Sequence, residues 1–311
     1  MHPLNPAITE NILVLGAGEL GMAVLRELAA RPEARVTVML RPSAIDNTPA
    51  HKRQTLEELD TLGIEVLPGD AVNDSTEQLA AQFSGFDTLI SCLGFVAGRG
   101  TQVKLARAAL QSEVKRYVPW QFGVDYDVIG RGSPQDLFDE QLDVRQLLRA
   151  QSRLQWLIIS TGMFTSFLFE PAFGVVDLAQ NTVRALGSWN TAVTVTTPED
   201  IGRLTAVILF DPERVNQVVY VTGDTLTYGQ LADTVDRVLN RTVERVKWTV
   251  HALMADLAAA PDDPMRKYRA VFAEGKGVAW AKAQSYNGER QLETTTVAQW
   301  MERHMPSRPR L

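Results

Sequence analysis

The stretch N-I-L-V-L-G-A-G-E-L-G, residues 11–21, decides the fold. Before its first glycine runs a short, continuous apolar segment, the pattern of a strand buried on both faces. The segment ends in G-x-G-x-x-G, and a helical pattern follows over 19–30. Each glycine has a physical task. Gly16 permits a tight turn, Gly18 lets the backbone approach a pyrophosphate, and Gly21 lets helix and strand pack closely. The helix start offers N–H groups and a partial positive charge to phosphate. A glycine-rich turn alone is weak, but a strand before it and a helix after it make it a dinucleotide-binding loop. Gly16, Gly18, Glu19, Leu20 and Gly21 are its expected contacts.

The same alternation continues outward. V-T-V-M-L (36–40), I-E-V-L-P (64–68), F-D-T-L-I-S (86–91), R-Y-V-P-W (116–120) and L-Q-W-L-I-I-S (154–160) read as strands. Helical stretches over 51–62, 75–83 and 101–112 lie between them. S-P-Q-D-L-F-D-E-Q-L-D-V-R-Q-L-L-R (133–149) reads as a helix capped by Ser133, with Pro134 in its first turn. Leu137, Val144 and Leu148 form its apolar stripe, which Gln141 interrupts. Strands alternating with helices predict an α/β fold with a doubly wound parallel sheet, the NAD(P)-binding Rossmann fold. Past residue 160 the pattern loosens. An aromatic, irregular stretch (162–174) precedes a helix over 197–210 with Thr197 as cap, a strand over 216–223, a helix over 226–239 and a strand in V-E-R-V-K-W-T-V (243–250). The expected division is a Rossmann domain over 1–160, completed by about 190–223, and a smaller C-terminal α+β substrate lobe from 161–189 and 224–311.

Composition sets bounds on function. The 311 residues are 45% hydrophobic and 22% charged, ordinary globular usage. A net charge of −6 with no basic cluster argues against a nucleic-acid partner. The single cysteine, Cys92, rules out an intrachain disulfide and fits a reducing compartment. No basic region followed by an apolar run opens the chain, and no segment approaches the roughly 18 apolar residues of a membrane helix. The expected setting is cytoplasmic, without membrane contact. No His, Cys or carboxylate group stands at metal-ligand spacing, so no metal is expected.

The second strand selects the dinucleotide. An NAD site places Asp or Glu at its end, for the ribose 2′-OH. Here the strand ends at Leu40 and Arg41 follows, a guanidinium suited to a 2′-phosphate. Lys52 and Arg53, at the start of the next helix, are further candidates, or simply a solvated face. NADP(H) is therefore the expected cofactor. Ligands of such sheets bind beyond the strand C-termini. That rule adds Asp70 and Ala71 after the third strand, Ser91, Cys92, Leu93 and Gly94 at the fourth, Gln121 and Phe122 after the fifth, and Thr161 and Gly162 after the sixth. Cys92 reads as a small packed residue rather than a nucleophile, because no His lies nearby in sequence.

G-A-G-E-L-G, V-T-V-M-L-R-P, V-L-P-G-D, L-I-S-C-L-G, V-K-R-Y-V-P-W-Q-F-G and S-T-G-M-F come in the order and spacing of a known family. Over about residues 10–240 the chain resembles the NmrA-like, isoflavone-reductase-like atypical short-chain dehydrogenases. The resemblance implies an NADPH-binding Rossmann domain with a small substrate lobe. It is nearest the aromatic alcohol reductase branch, whose members reduce phenylpropanoid-type or isoflavonoid substrates. That branch usually carries P-S-E-F-G after its fifth strand, where this chain has Trp120 and Gln121. The family's catalytic lysine stands three residues before a hydrophobic-Arg pair. The pair here is Val144–Arg145, so the matching residue is Gln141. Glutamine can donate a hydrogen bond but cannot supply a titratable proton. The Tyr-x-x-x-Lys pair of ordinary short-chain dehydrogenases is also absent, with Leu at 137.

Catalytic candidates are therefore Gln141, as a ribose or substrate donor, and Tyr126, as proton donor or as a packed phenol. Lys276, between two glycines, could swing over the site or lie exposed on a loop. Met163, Phe164 and Phe167 are candidate walls of a substrate pocket, or part of a core. The leading expectation is an NADPH-dependent reductase of a small aromatic or apolar carbonyl or enone. The alternative is a non-catalytic NADP(H)-binding redox sensor of the NmrA type, and only that reading requires a protein partner.

Overall fold

The computed structural model describes residues 10–46 and 50–305. The strands are β1 (Glu10–Leu15), β2 (Ala34–Leu40), β3 (Glu65–Pro68), β4 (Thr88–Ser91), β5 (Arg116–Val118), β6 (Gln155–Ser160), β7 (Met163–Phe164), β8 (Val176–Asp177), β9 (Thr182–Leu186), β10 (Ala192–Thr196), β11 (Gln217–Tyr220), β12 (Asp224–Thr227) and β13 (Glu244–Trp248). Seven of them form one sheet in the order β11-β6-β5-β4-β1-β2-β3. β1 pairs in parallel with both β2 and β4, so the chain reverses its direction of winding at β1. Such a reversal opens a crevice beyond the strand C-termini, between β1 and β4. Ile12, Leu13, Val14 and Leu15 are wholly buried, as a central strand covered on both faces requires.

The chain divides into two compact units. The first comprises residues 1–121, 143–159 and 201–218, and holds most of the large sheet. The second comprises 122–142, 160–200 and 219–311. It contains two three-stranded sheets, ordered β12-β10-β7 and β13-β9-β8. In the first of these, β10 pairs in parallel with β7 and antiparallel with β12. In the second, β9 pairs in parallel with β13 and antiparallel with β8.

The helix expected from Ser133 begins later, as Leu137–Arg149. Ser133 does not cap it, because its hydroxyl donates to the Gln135 carbonyl. Gln135 organises the entry instead: its carbonyl accepts from Phe138 N–H and its Oε1 from Leu137 N–H. The buried stripe keeps the expected positions 141, 144 and 148 and differs at its start. It comprises Phe138, Gln141, Val144, Arg145 and Leu148, while Leu137 is half-buried. The helix expected from residue 226 likewise starts at Tyr228, because Leu226 and Thr227 belong to β12 and Thr227 makes a capping box with Gln230.

Candidate cofactor groove and active site

The turn after β1 has the geometry a phosphate loop requires. Gly16 lies at φ +91°, a region that favours glycine. A Cβ on Gly21 would stand 2.2 Å from the Gly16 carbonyl oxygen, so helix and turn can meet only without one. A Cβ on Gly18 would meet nothing within 4 Å. Gly18 precedes the Glu19–Ala29 helix, and no side chain caps it. The helix start is thus left to an external acceptor, and a phosphate fits it.

Four strand-end loops enclose a cleft of about 390 Å³ there, all within the first unit. Gly16 and Gly18 line it from the β1 loop, Arg41 from β2, Asp70, Ala71 and Val72 from β3, and Cys92, Leu93 and Gly94 from β4. Leu40, Ala44 and Leu56 add apolar wall. Arg41 is exposed and makes no ion pair among the described residues. Burial alone would raise the Asp70 carboxyl; hydrogen bonds from the Asn73 side chain and the Val72 and Asn73 amides, with the Arg41 charge, outweigh it and hold Asp70 low. Cys92 is buried and its thiol is pushed up to about 12 by desolvation, which makes it a packing group.

The remaining expected contacts lie elsewhere. Glu19 is exposed outside the lining, and Leu20 and Gly21 are buried behind it. Ser91 is buried, and its hydroxyl has no hydrogen-bond partner among the described residues. Arg53 is exposed on the Ala50–Thr61 helix, away from the lining; the Lys52 side chain lies outside the described residues. Gln121 is fully buried, and its Oε1 accepts from Nε of the equally buried Arg145 at 2.8 Å. A larger cleft, about 640 Å³, opens at the opposite edge of the sheet among Glu10, Asp87, Lys115 and Arg116. Size does not make it the dinucleotide site, because it sits at the strand N-termini and has no glycine turn.

In the second unit the segments after β5 and β6 are joined. The Gly123 carbonyl accepts from the N–H groups of Thr161 and Gly162, each at 2.9 Å. Phe122 is buried beside this junction in sequence. Tyr126 is 2% exposed, and its hydroxyl occupies the space that a Cβ on Gly123 would need. Asp125 caps the short Tyr126–Ile129 helix and accepts from the Tyr220 hydroxyl at 2.7 Å. Lys276 Nζ donates to the Ile129 carbonyl at 3.5 Å. Gln141 is fully buried. Met163 is buried, and Phe164 and Phe167 are half-buried. Phe167 meets Phe173 at 4.7 Å and Tyr268 at 5.6 Å between ring centroids, and Phe138 lies between Tyr126 and Tyr268. Sequence reasoning missed Tyr220 and Tyr268. The position of Tyr220 at the end of a strand is a usable signal, whereas nothing local marks Tyr268.

A model of the NmrA-like family matches residues 8–293. The chain belongs to the NmrA-like family. It is 49% identical to an NmrA-like family domain-containing oxidoreductase of Gibberella moniliformis, over 94% of this chain and 98% of the relative. Eugenol synthase 1 of Petunia hybrida is 24% identical, over 80% of this chain and 81% of its own length. Among solved structures, an isoflavone reductase superposes with a TM-score of 0.78 at 19% identity, covering 96% of this chain and 100% of that one. The fold of this NmrA-like protein is that of the solved reductase it superposes on. No helix among its described residues is long and apolar enough to cross a membrane.

Proposed function

We propose that this NmrA-like oxidoreductase uses NADPH to reduce a small aromatic or otherwise apolar carbonyl or enone. The observation that carries the reading is the ring cluster of the second unit, in which half-buried Phe167 and Tyr268 continue the series from Tyr126 and Phe138. Aromatic rings recognise other rings by edge-to-face and offset contact. The names of relatives such as Eugenol synthase 1 support the same substrate class. When bound, NADPH supplies the hydride.

The chain's own residues have these roles. The Gly16–Gly21 loop and the Glu19–Ala29 helix start bind the pyrophosphate, and Arg41 binds the 2′-phosphate. Gln141 donates a hydrogen bond at the family's lysine position and moves no proton. Solvent water supplies the proton, because the Tyr126 phenol is buried against Gly123. Gln141 also favours the second reading, an NADP(H)-binding sensor without turnover.

NADPH consumption with a panel of aromatic aldehydes, ketones and enones separates the two, with Gln141→Lys run in parallel. Turnover by the natural chain supports the reductase. Tight NADPH binding with no turnover by either form supports the sensor.

A further inference from the structure

Two walls of the cofactor groove are tied to one helix, Thr101–Gln111. From its first turn, Gln102 Nε2 donates to the Leu93 carbonyl at 2.7 Å, on the β4 side. Lys104, half-buried, reaches the β3 side, where its Nζ donates to the Val72 carbonyl at 2.6 Å and the Asp74 carbonyl at 3.0 Å. The turn that it grips has its own internal bonds. Asp70 accepts from the amides of Val72 and Asn73, and Asp74 accepts from the Asp70 amide at 2.8 Å. Those bonds set the shape of the turn. Lys104 sets its place relative to the helix, through two charge-assisted bonds to carbonyls some thirty residues away in sequence.

Of the two gripped residues, Val72 faces the groove. Val72 lines it with an apolar side chain that is 42% exposed, and Ala71 lies buried next to it. With Leu40 and Leu56 they make an apolar lip beside Arg41. A purine needs such a flat apolar wall close to the cation that takes its ribose phosphate.

We propose that Lys104 is a positioning residue for the adenine end of the cofactor, pinning the Val72 and Asp74 carbonyls so that Ala71 and Val72 stand as the purine wall. The proposal rests on assigning this groove to the dinucleotide and is independent of the aromatic-substrate reading. Its test is equilibrium titration of the full chain with NADPH, with 2′,5′-ADP and with reduced nicotinamide mononucleotide. Lys104→Met weakens NADPH and 2′,5′-ADP alike, by about five- to tenfold, as expected for loss of a charge-assisted anchor. It leaves the mononucleotide unchanged, and Lys104→Arg recovers most of the loss. Unchanged affinity in folded Lys104→Met overturns the proposal, as does equal weakening of all three ligands, which marks a general structural role. If Lys104→Met does not fold, Val72→Gly decides: selective weakening of the two adenylates supports the wall, and unchanged binding overturns it. Arg41→Met checks the groove itself, and unaltered NADPH affinity there removes the assignment on which the proposal stands.

Discussion

Arg41 shows how far a single residue can be read. Its place after β2 was legible because one position there separates a carboxylate for a ribose hydroxyl from a guanidinium for a phosphate. The structure puts it on the groove lining, exposed, with no competing carboxylate bonded to it among the described residues. Arg41→Met is expected to weaken NADPH by about tenfold or more while leaving NADH nearly unchanged, the effect of losing roughly 1.5–3 kcal/mol of charge-assisted bonding. Fluorescence titration with both nucleotides checks this, and equal losses for the two would sink it. Cys92 gives the opposite case, a residue type known for reactivity in a place that suppresses it. Its burial keeps the thiol protonated near neutral pH. Iodoacetamide at neutral pH is expected to label the native protein slowly and the urea-unfolded protein quickly; fast labelling of the folded form would contradict the packing role. Gln141 was legible twice, as the break in its helix's apolar stripe and as a departure from the family's lysine. Its complete burial agrees with a place on that stripe.

At the scale of elements, the phosphate turn has the least tolerance. Gly21→Ala places a methyl 2.2 Å from the Gly16 carbonyl oxygen, backbone that cannot step aside without moving β1 or the helix. The expected result is a loss of about 1–3 kcal/mol or more in stability, together with NADPH affinity, because the turn and the helix start shift together. Chemical denaturation and titration of the same variant check both effects, and a variant of normal stability and affinity would refute the close-approach argument. The inner strands of the large sheet were legible because a strand covered on both faces must be apolar throughout, as in I-L-V-L of β1. β9 and β10 were not. T-V-R-A-L and A-V-T-V-T are short, carry polar members and follow no regular alternation with helices. The Leu137–Arg149 helix start was misplaced for another reason: Ser-Pro has the chemistry of a first turn, but the bonds that Gln135 accepts from the Leu137 and Phe138 amides set the entry two residues later.

For the molecule as a whole, the division into units was the least legible feature. The return of 201–218 to the first unit falls inside the expected 190–223, whereas the excursion of 122–142 into the second was not anticipated, because periodicity carries no mark of such a crossing. Charge, by contrast, permits a prediction about the entire fold. Asp87 is held below its ordinary 3.8 by the Lys115 side chain and the Asn11 amide, and Asp177 and Asp263 are held low chiefly by backbone N–H groups of Gln180 and Arg266. Carboxyls depressed by folding contribute stability that is present above about pH 4 and lost as pH falls through their native values. At the other end, burial raises the phenols of Tyr117, Tyr228 and Tyr268 above 10.0 and the Cys92 thiol above 9.0. Groups raised by folding contribute stability that is present below the unfolded value and lost as pH rises past it. The two signs together predict a broad stability maximum from about pH 5 to 9, falling on both sides. Urea midpoints measured across pH 3 to 11 test it, and the acid limb isolates a single contact. Asp87 joins β1 and β4 from their N-terminal ends through the Asn11 amide at 3.0 Å. Asp87→Asn keeps the size of the side chain but removes the charge. It should lower the midpoint at pH 7 and have little effect near pH 3, where the native carboxyl is itself gaining a proton. A loss of equal size at both pH values would mean that the contact acts through shape and not through charge.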